Sequence, residues 1–281
     1  MKNLSKDFLT ISISLLLLVI LAWYYLYLMT LSMDVSSMNM NMDMDMDMDM
    51  DMDMDMETGM NMNMDSSFSI FLMPMTGNWE MNDFIVMFLM WTIMMFAMMM
   101  PSTFIFLNIF EMMRSNMKSV KYPLLELYVI SFTYILIWTI FSIFATLLQY
   151  YLHNVDMINM MGTLKHEIFA GIFLICAGVF QFSSLKNACL EKCRNPLSFI
   201  MGRNINNLGD VAKLGLAHGI FCLGCCWALM LLLFINGVMN LLWIVVLTIA
   251  VLAEKILPFE KLTSRFFGAV LVVWGAYLIV I

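Results

Sequence analysis

Three of the six cysteines of this 281-residue chain fall within five positions, in the string Gly215-Leu-Ala-His218-Gly219-Ile-Phe-Cys222-Leu-Gly224-Cys225-Cys226-Trp227-Ala228-Leu229-Met230. On a helix, His218, Cys222 and Cys225 follow one another at i, i+4 and i+7 and form one strip. Gly215, Gly219, Cys222 and Cys226 form the adjacent strip, and Cys222 belongs to both. Thiolate and imidazole are donors for soft or borderline ions, with Cu(I) the first expectation and zinc the alternative. A single cysteine on an apolar helix is a packing residue. Three of them beside a histidine point to metal or redox chemistry. Gly215 and Gly219 also make the small-xxx-small pattern that lets two membrane helices approach closely. A second thiol pair, Cys189 and Cys193 at i and i+4, lies in a basic segment with Gln181, Lys186, Arg194 and Pro196. On the reducing side of a membrane such thiols stay free and can ligate metal. Cys176 stands alone and is read as packing.

Methionine supplies a softer donor. Its thioether prefers Cu(I) to hard cations and has no proton to lose. Met87, Met90, Met94 and Met98 form one helical stripe with Pro101 near the same face, and Met94 or Met98 is the expected ligand from that element. A Met-Asp alternation runs through Met42, Met44, Met46, Met48, Met50, Met52, Met54 and Met56, with looser methionines on both flanks. A perfect two-residue repeat can arise by slippage of a six-base DNA repeat, but slippage does not explain the flanks. In an extended chain the alternating methionines project to one side. The aspartates keep the stretch soluble and raise the local cation concentration. With so little apolar surface to bury, the stretch is expected to be disordered. His153, Met157, Met160, Met161 and His166 offer a weaker soft-metal cluster.

These residues need elements to position them. The chain is 62% hydrophobic and 12% charged, with mean hydropathy +0.86. A soluble domain carries about twice that charged fraction. In a bilayer only helices or closed barrels satisfy the backbone, and about 20 apolar residues make one helical span. Seven spans are expected: Phe8–Leu31, Phe84–Phe110, Pro123–Tyr150, Ile168–Leu185, Leu214–Ile235, Leu241–Leu257 and Phe266–Ile281. The fold class is therefore all-α, a polytopic transmembrane helical bundle in a lipid bilayer with a disordered Met/Asp-rich outer loop. Its parts are an anchor helix (1–31), the low-complexity loop (32–78) and a six-helix metal-binding domain (79–281). The first apolar run is too long for a signal-peptide core and no small-x-small site follows it, so it reads as an uncleaved anchor. With the N-terminus inside, 13 of the 14 Lys and Arg lie on inner segments and only Lys165 on an outer one. That places the C-terminus and the Met/Asp loop outside. Glu254 and Lys255, near the inner end of the sixth span, are ionisable residues of the kind that tend to be functional or paired at membrane depth, though both are close enough to the interface to snorkel. The net charge of −7 is set by ten acidic residues in 33–65, without which the chain is at −7 + 10 = +3. No basic patch with interleaved aromatics indicates nucleic acid.

Several of these residues recur in a known pattern. Trp91, Ala97-Met98-Met99 and Pro101, then Gln181, Lys186, Cys189, Cys193-Arg194 and Pro196, then Cys222-Leu-Gly-Cys225-Cys226-Trp-Ala-Leu-Met230, Gly237 and Glu254-Lys255 give the chain its likeness. Over residues 79–281 it resembles the multi-pass family of unknown function labelled as predicted metal-binding integral membrane proteins. The resemblance implies a helical membrane fold and a metal site, without an activity. The leading expectation is a copper-handling membrane protein, either a transporter or a component that delivers copper to a membrane cuproenzyme or takes it from an outer copper carrier. The alternatives are a thiol/quinone oxidoreductase using the Cys222-x-x-Cys225 dithiol and a structural subunit of a larger membrane complex.

Overall fold

The computed structural model describes residues 6–46, 79, 81–114, 123–159, 162–257 and 260–280. The described residues form ten helices: α1 (Lys6–Met46), α2 (Met81–Arg114), α3 (Pro123–Asn154), α4 (Glu167–Gln181), α5 (Ser184–Arg194), α6 (Pro196–Met201), α7 (Leu208–Leu231), α8 (Leu233–Asn236), α9 (Leu241–Ile256) and α10 (Glu260–Val280). They make a helical bundle. The stretches Leu9–Leu31, Met81–Arg114, Leu124–Asn154, Leu208–Asn236 and Leu262–Val280 are each long and apolar enough to cross a membrane.

Two of the seven expected spans differ. The fourth is broken: α4 ends at Gln181 and α5 leaves it at 61°. Ser183 causes the break, because its backbone is extended and its hydroxyl caps the new helix by accepting from the Lys186 amide. The α4–α5 pair would make a sixth crossing if it counts as one span. The sixth expected span becomes α9, of 16 residues. At 1.5 Å per residue α9 reaches about 24 Å, short of the roughly 30 Å hydrocarbon core. Gly237, at φ 95°, makes the turn before α9, and the Asn240 side chain caps its first turn through the Trp243 amide.

The Met/Asp stretch also departs from expectation. The chain is helical through Met46, so residues 33–46, with Met42, Met44 and Met46, are neither extended nor disordered. Extending an existing helix requires no new nucleus, and methionine is a good helix former. Met48, Met50, Met52, Met54 and Met56 lie outside the described residues.

Two close helix contacts organise the bundle. In the first, α7 lies against α3. A Cβ on Gly215 would stand 2.1 Å from Thr133 Oγ1, and one on Gly219 would stand 2.9 Å from Ile137. The small-xxx-small pair therefore works as read. In the second, α4 and α10 cross on glycines from both sides. A Cβ on Gly171 would meet the Gly275 carbonyl at 2.7 Å, and one on Gly178 would meet the Gly268 carbonyl at 2.9 Å. Cys176 of α4 is exposed on the outside of this pair, which corrects its reading as a packing residue. Met87, Met90, Met94 and Met98 are all buried, as are Met95, Met99 and Met100 beside them.

Candidate metal centre

The centre is built on α7 and completed by α2, α3, α5 and α9. Asn207 starts α7 by accepting from the Asp210 amide, and the helix then carries His218, Cys222, Cys225 and Cys226 inward, all four buried. The Cys222 sulfur is its hub. Tyr134 of α3 places its hydroxyl 3.0 Å from Cys222 Sγ. Lys255 of α9 donates from Nζ to Cys222 Sγ at 3.0 Å and to Ser102 Oγ at 3.0 Å. The thiols of Cys225 and Cys226 turn back on their own helix and donate to the Cys222 carbonyl at 3.1 and 2.7 Å. All six cysteines are free.

The bend after α4 brings a second helix of thiols to the hub. α5 packs on α7, and the Cys189 sulfur stands 2.9 Å from where a Gly224 Cβ would be. A side chain at 224 would have to displace that sulfur. Cys193, one turn on, turns its thiol toward those of Cys222 and Cys225. The two thiol groups that lie thirty residues apart in sequence thus face each other across α5 and α7.

A buried ion pair holds α5 in place. Lys186 Nζ donates to both carboxylate oxygens of Glu254 at 2.7 Å, and the side chains are 0% and 1% exposed. Arg194 donates to the carbonyls of Glu254 and Leu257. Glu254 and Lys255 therefore do not snorkel. The folding-back of α5 covers Glu254 with Lys186, and Lys255 turns inward to Cys222. Gln181 and Ser264 close the same corner through hydrogen bonds between α4 and α10.

His218 lies one turn before Cys222, stacked on Phe106 with centroids 3.9 Å apart and on Tyr134 at 5.5 Å. Its Nδ1 is buried with no hydrogen-bond partner. From α2, Ser102 reaches the hub through Lys255, whose ammonium it shares with Cys222 Sγ. Met98 lies one helical turn before Ser102, and Met94 one turn earlier still. Pro101 has no amide to donate to the Ala97 carbonyl, while Ser102 and Thr103 both donate to the Met99 carbonyl. The polar atoms of α2 thus concentrate beside Cys222. At the turn between α3 and α4, His153 packs on Trp79 and His166 on Phe169, so the two histidines are held by separate ring contacts. There, a hydrogen bond from Lys165 holds the Asp156 carboxyl below its usual range. Met160 and Met161 lie outside the described residues.

Among the described residues no three His, Cys, Asp or Glu side chains already converge as a metal-binding group. The reason is visible at Cys225 and Cys226, whose thiols are hydrogen-bonded to a backbone carbonyl. The sequence alone did not indicate Tyr134 or Ser102. The adjacency of Glu254 and Lys255 marked the right pair without deciding its surroundings.

A bundle of long apolar helices around buried free thiols is compatible with a membrane protein that binds a soft metal. The chain belongs to the PpoB2 family, described as copper chaperones, whose sequence profile matches residues 88–278. The match runs from α2 into α10 and contains every thiol and His218, while α1 and the Met/Asp stretch lie outside it. No curated protein and no solved structure matches the chain. A copper-related role follows from the family.

Proposed function

We propose that the protein receives Cu(I) at the buried thiols of α7 and α5 and passes it on, as a delivery component or a transporter in the cell membrane. The observation that carries this reading is the packing of α5 back against α7, which brings the helix of Cys189 and Cys193 beside the helix of Cys222, Cys225 and Cys226. Soft thiolates in a dry site select a soft ion over the hard cations of the cell. Copper is cargo here, so reversible binding matters more than maximal affinity. Lys255 fits that role: its ammonium holds a positive charge beside Cys222 Sγ before the ion arrives and can withdraw to Ser102 when it does. His218 is the hand-over position one turn away, and Met94 and Met98, about two turns and one turn before Ser102 on α2, are the thioether ligands. Residues 33–65 collect the ion, and a membrane cuproenzyme or an outer copper carrier is the exchange partner. The same donors would take zinc less selectively.

The test is thiol labelling of the full chain, and of a chain lacking residues 33–65, with and without Cu(I). The expected outcome is protection of Cys222, Cys225 and Cys193, reached at higher Cu(I) in the shortened chain. Labelling that follows the redox state and ignores copper would replace this reading with a dithiol oxidoreductase. Labelling indifferent to both would make the protein a structural subunit. The basic-residue asymmetry further supports an inner N-terminus and an outer C-terminus, with the Met/Asp stretch outside. Reporter fusions at the two ends should therefore report opposite sides, and the same side for both would end that topology.

A further inference from the structure

We propose that Met95, Met99 and Met100 form a second, thioether-only site for a soft monovalent cation in the cleft between α2 and α3. This rests on the copper reading above and adds a site that the thiols do not provide. A cavity of about 10 Å³ lies in that cleft, lined by the three methionines together with Thr92, Tyr134, Thr139 and Trp138. It lies on a different face of α2 from the Met87–Met98 stripe, since Met95 and Met99 are each one residue, or about 100°, beyond Met94 and Met98.

Its size and wall select the ion. A cavity needs roughly 10–15 Å³ to hold one water, so this one is at the lower limit and suits a bare ion better than a hydrated one. The oxygen atoms around it are already engaged. Thr92 donates to the Phe88 carbonyl at 2.8 Å and Thr139 to the Ile135 carbonyl at 3.0 Å. The Tyr134 hydroxyl lies between Cys222 Sγ and the Met99 carbonyl. The buried indole N–H of Trp138 finds no acceptor at all, which shows how poor in oxygen ligands its surroundings are. The hydroxyls of Thr92, Thr139 and Tyr134 offer a hard cation fewer oxygen ligands than the roughly six it takes, whereas a d¹⁰ ion has sulfur.

The methionines can converge on that ion. Met95 and Met99 are at i and i+4, with Cβ atoms about 5–6 Å apart, and Met100 follows on the neighbouring strip. Three rotatable bonds let each thioether adapt. Binding is ligand exchange alone, with no proton released and no electron transferred. The site shares Tyr134 with the thiol centre, so an ion leaving the thioethers has one side chain between it and Cys222. The pair of sites forms a two-step path in which the weaker thioether site faces the stronger thiol site. Such a path needs binding firm enough to enter and weak enough to leave.

The experiment compares full-length protein in a Cys193→Ser/Cys222→Ser/Cys225→Ser background with the same chain also carrying Met95→Leu/Met99→Leu/Met100→Leu, using Ag(I) as a redox-inert probe. Met→Leu nearly conserves volume and leaves the core filled. The triple leucine chain should bind one Ag(I) fewer per chain, while Met87→Leu/Met90→Leu in the same background should cause no such drop. Equal Ag(I) stoichiometry with and without the three leucines would overturn the site. Should the triple variant not fold, Met99→Leu alone should weaken Ag(I) retention, and unchanged retention in that folded variant overturns the site equally. Failure of Cu(I) to protect the thiols in the wild-type chain is a separate result and would count against the proposed function instead.

Discussion

Cys222→Ser is expected to remove most of the bound copper from the purified protein, with smaller losses from Cys225→Ser and His218→Ala. The difference follows from where each side chain stands. Cys222 alone is reached from three other helices: by Tyr134, by Lys255 and by the thiol of Cys193. Cys225 can be replaced in part by Cys226, because both thiols begin from the same acceptor, the Cys222 carbonyl. His218 is a turn away and held between two rings. A serine hydroxyl at 222 still accepts from Lys255, so the fold should survive while the soft donor is lost. The fall in affinity should exceed the roughly 10–100-fold that follows loss of an outer-shell partner. Metal per chain, measured together with the unfolding midpoint, checks this. Unchanged copper in folded Cys222→Ser would remove the α7 site, and the protein would then be better read as a structural subunit.

The spacing within α7 was legible because both of its signals are local. Positions i, i+4 and i+7 share a face in any helix, and Gly215 and Gly219 mark a close approach whatever the neighbour is. The neighbour itself, α3 with Thr133 and Ile137, was not legible, because partner choice depends on shape along the whole helix. The α4–α10 crossing shows the same limit: its four glycines occur in two helices nearly a hundred residues apart, and nothing in either run names the other. The break in the fourth expected span escapes the sequence for a different reason. The hydropathy of the span runs on past the break, and only the capping behaviour of Ser183 ends α4. That single turn decides whether Cys189 and Cys193 are part of a loop or part of the centre. Depth alone leaves Lys255 open between pairing and snorkelling, and a thiol and a hydroxyl inside the bundle offer the ammonium the better partners. The Met-Asp alternation was read with strand-like periodicity, and the helix already running from α1 carried it through Met46.

Lys186→Met is expected to cost the fold about 3–5 kcal/mol, because it strands the Glu254 carboxylate inside the protein. With 0% and 1% exposure and two 2.7 Å hydrogen bonds, neither charge has water to fall back on. That loss is a large share of a typical total stability of roughly 5–15 kcal/mol. Glu254→Leu alone should cost a similar amount, through the stranded ammonium. Replacing both together should recover most of the loss, since a well-packed apolar pair is often as stable as a buried ion pair or more so. The Arg194 contacts to the Glu254 and Leu257 carbonyls use backbone atoms and remain in all three variants. The consequence reaches the metal centre because Lys186 lies on α5, one turn before Cys189. Loosening α5 in the single variants should lower copper affinity and expose Cys189 and Cys193 to labelling, and the double variant should restore both. Unfolding in detergent with parallel thiol labelling separates the two effects. A single variant as stable as the wild type would show that the ion pair does not hold the helix. A stable double variant with lost copper binding would show that the charges themselves, and not the position of α5, serve the thiols.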